Sequence, residues 1–444
     1  MSRFNSYGGR MGEVVRKEAV AVDVDRLVDE VGDAKFVLIG EASHGTHEFY
    51  QTRARITQRL IEEKEFGAVV VEADWPDSWR VNRWVRGFDD DRDADGALSG
   101  FKRFPQWMWR NQDVLEFVQW LRRWNDSRLP RWQKAGFYGM DLYSLYTSIE
   151  EVLKYLEKVD PKAARRAQFR YSCLGHYGED PQQYGYAASF DLSKGCEDEV
   201  VAQLVELRRR SVEYAKRDGR VAEDEYFYAE QNARLIANAE RYYRSMFEGS
   251  VESWNVRDRH MVETLGALVD YLDGHLGQTK VVVWAHNSHL GDARATEMGE
   301  RGEVNVGQLV REKWGMEQTR LVGFSTHTGT VTAATNWDEP AQIKRVRPSL
   351  EGSWERAFHD VGGNFLLSLR GMSDGQMMRE ERLERAIGVI YRPQTERISH
   401  YFGARIGEQF DAVIHIDETS AVRPLEIYGE PAPVEEEETF PTGI

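Results

Sequence analysis

Short, wholly apolar runs alternate with longer stretches of helical periodicity along most of this chain, and the apolar runs tend to end on polar residues. Val37-Leu38-Ile39 runs into Gly40-Glu41, and the pattern after it predicts a helix from about His47 to Lys64. Ala68 to Val71 ends at Glu72-Ala73-Asp74. Gly136 to Met140 ends at Asp141, ahead of a helix with Ile149, Val152, Leu153 and Leu156 at helical spacing. Lys280 to Ala285, the purest strand pattern, ends at His286-Asn287-Ser288-His289, and Leu321–Ser325, Phe365–Leu369 and Ala412–Ile416 read as further strands. Strands alternating with helices predict an α/β fold, a mostly parallel central sheet covered by helices. Residues 145–275 carry an almost purely helical pattern and read as a helical insertion or subdomain. The α/β domain is expected over 20–428, and the acidic, proline-bearing segment 429–444 is expected to be a disordered tail.

Ligands of open α/β sheets bind beyond the carboxyl ends of the strands. Four expected strand ends carry Glu41, Glu72, Asp141 and His286, so carboxylates and imidazoles converge from distant parts of the sequence. Two helices add charge where apolar residues belong. Arg53 falls on the stripe of Phe49, Ile56 and Leu60, and the stripe of Met261, Leu265, Leu268 and Leu272 extends back to Arg257 and Asp258. A buried arginine needs a carboxylate partner, so these side chains are expected to point into the polar cleft and pair with Glu41, Glu72 or a substrate.

Composition narrows the partners. The 444 residues hold 58 Lys and Arg against 74 Asp and Glu, a net charge of −16, which disfavours nucleic acid and anionic membranes alike. No apolar run is long enough to span a bilayer, and the N-terminus lacks the apolar core of a signal peptide. Two cysteines, Cys173 and Cys196, make no disulfide framework, so a reducing cytoplasm is expected.

The loop Gly40-Glu41-Ala42-Ser43-His44-Gly45-Thr46-His47 is the richest in chemistry. Glycines on either side permit a tight turn, Thr46 is placed to cap the following helix, and a histidine beside a carboxylate suits a general base. Walker and GxGxxG patterns are absent, so nucleotide cofactors have no support. There is no GxSxG elbow, which makes Ser43 a turn residue rather than a nucleophile, and His47-Glu48-Phe49-Tyr50-Gln51 breaks the HExxH zinc pattern at its last position. His44, His47, His286, His289, Glu41 and Glu72 would still suffice chemically for a divalent metal. Trp75, with Trp79 and Trp84, and Trp107 in the stretch Arg103 to Arg110 are candidates for an apolar wall against a bulky ligand.

Gly40 to Gly45, Val71-Glu72-Ala73-Asp74-Trp75, Asn255-Val256-Arg257-Asp258 and Ala285-His286-Asn287-Ser288-His289 together, and in this order, resemble the erythromycin esterase family over residues 20–425 or so. The resemblance implies cleavage of a bulky ester or lactone, macrolides among them, by a histidine-activated water without a serine acyl-enzyme and with no required cofactor. It implies that His44 is the base and Glu41 its orienting carboxylate. Glu72, Arg53 and His286 would be further catalytic positions, with His289, Arg257 and Asp258 supporting substrate. More remote likeness to haem-uptake and Tiki-type proteins leaves two alternatives open, a metal-dependent hydrolase using the same cluster and a non-catalytic binding protein for a haem-like ligand.

Overall fold

The computed structural model describes residues 12–88, 91–128, 134–175, 181–189, 195–215, 220–247, 249–372 and 375–426. The acidic segment 429–444 lies outside these residues. The strands in chain order are β1 (Val20–Ala21), β2 (Phe36–Ile39), β3 (Phe66–Asp74), β4 (Gly136–Asp141), β5 (Lys280–Trp284), β6 (Thr319–Ser325) and β7 (Thr328–Ala333). They continue with β8 (Gln342–Val346), β9 (Phe365–Ser368), β10 (Arg382–Arg385), β11 (Tyr401–Ala404), β12 (Ala412–His415) and β13 (Glu418–Thr419).

Eight strands form one sheet in the order β1-β9-β12-β6-β2-β5-β3-β4. Pairing is parallel for β12 with β6, β6 with β2 and β2 with β5, while β9 runs antiparallel to β12 and β1 antiparallel to β9. The expected α/β architecture with a mostly parallel sheet is therefore what the chain adopts, and every strand expected from its apolar run is present. Phe36–Ile39 and Val281–Val283 are fully buried, as the absence of any polar alternation in these runs requires. The apolar runs did not mark β1 or the smaller β13-β7-β8 and β10-β11 sheets.

The chain divides into two compact units. The first comprises the residues up to Val70, Arg83–Gly136 and the residues from Gln278 onward. In it β2 pairs with β5 such that Ile39 stands opposite Trp284, which brings Gly40-Glu41 and Ala285-His286 off the sheet side by side. Helix α1 (His47–Lys64) follows the first of these loops, buries Phe49, Ile56 and Leu60, and matches the expected bounds.

The second unit comprises Val71–Asn82 and Phe137–Gly277. Its described residues from Leu145 to Leu276 are mostly helical, ending in the long helix α2 (Ser250–Leu276). Cys173 and Cys196 are joined here as a disulfide, with Cα atoms 6.0 Å apart. This single pairing departs from the expectation that two cysteines make no disulfide framework. Among the described residues no helix is long and apolar enough to cross a membrane.

Candidate active site

In the first unit, the loop between β2 and α1 is held from several sides. Gly45 takes φ of +70°, and a Cβ there would lie 2.2 Å from Thr332 O and 2.8 Å from Trp107 Cζ3, so only glycine fits. Its carbonyl accepts from Thr332 N–H and Val422 N–H. Thr46 occupies the N-cap position, but its hydroxyl pairs with Ser43 Oγ at 2.5 Å and makes no cap bond, contrary to expectation.

Within this loop His44 and Glu41 pair directly. His44 Nδ1 lies 2.8 Å from Glu41 Oε1. A carboxylate can only accept, so Nδ1 carries the proton and the lone pair sits on Nε2. Arg53, on the next helix, is wholly buried, and its Nη2 stands 3.0 Å from Glu41 Oε2 as an ion pair that is not aligned as a hydrogen bond. Its guanidinium lies over the rings of Tyr50 and Trp284, 4.4 and 5.1 Å from their centroids. The apolar stripe of α1 thus carries its arginine inward, as expected, and the partner is Glu41.

His286 opens the short helix α3 (Asn287–Leu290), with its ring centroid 4.9 Å from that of His44. The backbone N–H of Ser288 donates to His286 Nδ1 at 3.2 Å, and Ser288 Oγ is 2.8 Å from the same atom. An amide N–H can only donate, so Nδ1 accepts and the neutral ring holds its proton on Nε2. The two imidazoles therefore have opposite tautomers. His289, on the same turn, is buried, as are Glu41, His44 and His286. His44, at 6% exposed, is the least enclosed of the Glu41–His44–Arg53–His286 group.

His47, at the start of α1, pairs instead with Asp113 at 2.8 Å. Among the described residues no group of three His, Cys, Asp or Glu side chains is arranged to hold a metal ion.

Glu72 belongs to the second unit, where Arg257 gathers two strand-end carboxylates. Its Nη2 donates to Glu72 Oε1 and to Asp141 Oδ2, both at 2.7 Å, and its Nε donates to Asp141 Oδ1 at 3.0 Å. Burial opposes the guanidinium charge, but Asp141, Tyr143 and Glu72 raise its pKa well above the usual value. Asp258 is fully buried in the same helix. The expectation that Arg257 meets a strand-end carboxylate is met twice over within this unit.

The rings expected to form an aromatic wall are buried in both units. Trp75 is 1% exposed and packs against Trp79, Tyr138 and Phe227, and its Nε1 donates to Tyr228 O. Trp107 is 2% exposed, against Gly45 in the first unit.

Sequence reasoning missed two groups near His286. Asn287 links the two site loops through its backbone, and Glu384, on β10, is a buried carboxyl 3.4 Å from Asn287 Nδ2. Burial, and secondarily the carboxylate of Glu355, push the Glu384 pKa up to about 8. Its proton is thus retained in the folded state well above the unfolded value. That stabilises the fold fully below the unfolded pKa and is lost as pH rises through about 8. Glu384→Gln is expected to remove this loss: thermal melts from pH 6 to 9 should decline less for the variant, by on the order of 1.4 kcal/mol per pH unit within the window. Parallel declines would show that Glu384 is ionised in the fold.

Comparison with known proteins agrees with this architecture. The erythromycin esterase family model matches residues 61–419. Erythromycin esterase type II of Escherichia coli is 20% identical over 347 residues, 75% of this chain and 80% of that protein. A crystal structure of a Bacillus cereus protein superposes with a TM-score of 0.77 at 19% identity, covering 94% of this chain and 99% of that one. A mutant of erythromycin esterase EreC in its open conformation superposes with a TM-score of 0.64 at 17% identity, covering 91% of this chain and 95% of that one. The match of one family model to most of its length means that the chain belongs to the erythromycin esterase family of hydrolases.

Proposed function

We propose that the protein hydrolyses a bulky small-molecule ester or lactone by direct attack of water activated on His44. The observation that carries this reading is the His44 Nδ1 contact with Glu41 Oε1 at 2.8 Å, which leaves the Nε2 lone pair for the water proton. Glu41 fixes the ring and stabilises the imidazolium that forms, and Arg53 balances the carboxylate charge in a site closed to solvent. His286 has the complementary role. Its Nε2–H suits donation to the developing oxyanion of the tetrahedral intermediate, because Ser288 holds the other ring nitrogen as an acceptor. The intermediate then collapses with the proton passing from His44 to the leaving alkoxide. The names of the curated relatives support an ester as substrate, and macrolactones are the first class to test.

Purified protein assayed against macrolactones and 4-nitrophenyl esters, with and without a chelator, tests this reading. Turnover of at least one ester class at the same rate in both conditions is expected. No ester hydrolysis, or turnover abolished by the chelator and restored by a divalent metal, would overturn it.

A further inference from the structure

Asn287 makes hydrogen bonds to two other segments at the site. Its backbone N–H donates to Glu41 O at 2.8 Å. Its Nδ2 donates to Phe324 O at 2.8 Å and its Oδ1 accepts from Phe324 N–H at 3.2 Å, so the carboxamide closes on both backbone polar groups of one residue of β6 as a neighbouring strand would. The same Nδ2 faces Glu384 Oε1 at 3.4 Å. The residue is 1% exposed. Asparagine alone among residues of this size can donate and accept in this way: aspartate could not donate to Phe324 O, and an apolar side chain would strand both peptide groups.

Gly40 provides the space. A Cβ on Gly40 would stand 2.2 Å from Asn287 Oδ1 and 3.3 Å from Val322 O. Gly40 is not among the residues with positive φ, so backbone conformation does not call for glycine here; the Asn287 carboxamide does. Gly40 immediately precedes Glu41, and Asn287 immediately follows His286. Each loop therefore carries a member of this contact directly beside a functional side chain.

We infer that Asn287 is a positioning residue for ester hydrolysis: seated in the slot left by Gly40 and clamped to the Phe324 backbone, it sets His286 relative to the Glu41–His44 pair. The inference rests on the esterase reading of that site. The carboxamide adds to the Asn287 N–H bond to Glu41 O in fixing the spacing of the two loop tips, and reaction geometry tolerates little drift, since about 1 Å of misplacement can cost about 100-fold in rate.

Asn287→Asp, Asn287→Ala, Gly40→Ala and the Gly40→Ala/Asn287→Ala double variant test it, with a 4-nitrophenyl ester as probe. Each single variant is expected to lose about 100-fold in kcat with KM within about threefold of the parent. The double variant should lose no more than the worse single variant, because the Gly40 methyl acts by displacing a side chain already removed. Ring-nitrogen NMR of histidine-labelled protein gives a second readout that needs no substrate. The His286 resonances should shift in the Asn287 variants while the Nδ1–H signature of His44 is kept. An Asn287→Ala protein with kcat within about threefold of the parent, additive losses in the double variant, or unmoved His286 resonances would each overturn the assignment. A parent that hydrolyses no ester but shows the expected resonance shifts would sink the esterase reading and leave the positional coupling standing.

Discussion

Replacement of His44 by alanine is expected to lower kcat/KM for ester hydrolysis by about 10²–10⁴-fold, the usual contribution of a positioned general base. The loss should fall on kcat, because the Nε2 lone pair acts on water in the transition state and makes no contact that substrate binding alone requires. Stability should fall as well, by about 1–3 kcal/mol for the buried hydrogen bond lost to a charged group. The ring supplies the hydrogen bond that Glu41 Oε1 accepts, and its removal leaves the buried carboxylate with the Arg53 ion pair. His286→Ala should behave differently, with a loss that a His286→Gln variant partly restores, since an amide N–H can replace the Nε2–H donor. His44→Gln has no basic lone pair and should recover nothing. Steady-state kinetics of these four variants on one activated ester check the division of roles, and equal recovery by both glutamines would contradict it.

The second large effect is on stability. Arg53→Ala is expected to cost about 3–5 kcal/mol, the penalty for breaking a buried ion pair by removing one partner. Arg53 is 0% and Glu41 1% exposed, so no water replaces the lost cation, and the cavity left between Tyr50 and Trp284 adds to the cost. Arg53→Lys keeps a charge but loses the planar group that fits between the two rings, and an intermediate loss is expected. Arg53→Ala combined with Glu41→Gln should recover much of the stability, because the stranded charge is then gone. It should recover none of the activity, since His44 loses its carboxylate. Denaturant unfolding of the three variants measures this directly. A destabilisation unaffected by Glu41→Gln would mean that Arg53 acts by packing alone.

What could be read from sequence follows from which interactions are local. The β2, β3, β5 and β6 strands announce themselves because both faces are buried and the runs are unbroken by polar residues. β8 was invisible because four of the five residues of Gln342–Val346 keep solvent contact, so the run has no apolar face to detect. At the site, Glu41 and His44 are three residues apart and Arg53 stands out as a charge on an apolar stripe, so all three were legible. The Arg257 partners were only half legible: the strand ends marked Glu72 and Asp141 as functional, while their shared cation lies 185 and 116 residues away. Asn287 could be quoted within its motif, but its role depends on Phe324 and on a Glu384 that is 97 residues distant. The packing of Trp75 and Trp107 was not legible, because residue type reports a ring's size and says nothing of which neighbours cover its faces. Cys173 and Cys196 failed for a similar reason, since their pairing is a matter of helix packing across 23 residues of sequence.

The most direct test of the central claim is intact-mass measurement of the protein, acid-quenched during steady turnover of an activated ester. Attack by water on a His44 base, with no covalent intermediate, predicts the mass of the unmodified chain at every quench time. An adduct with the mass of the acyl group, appearing within the first turnover and decaying when substrate is exhausted, would contradict it and assign the chemistry to a side-chain nucleophile.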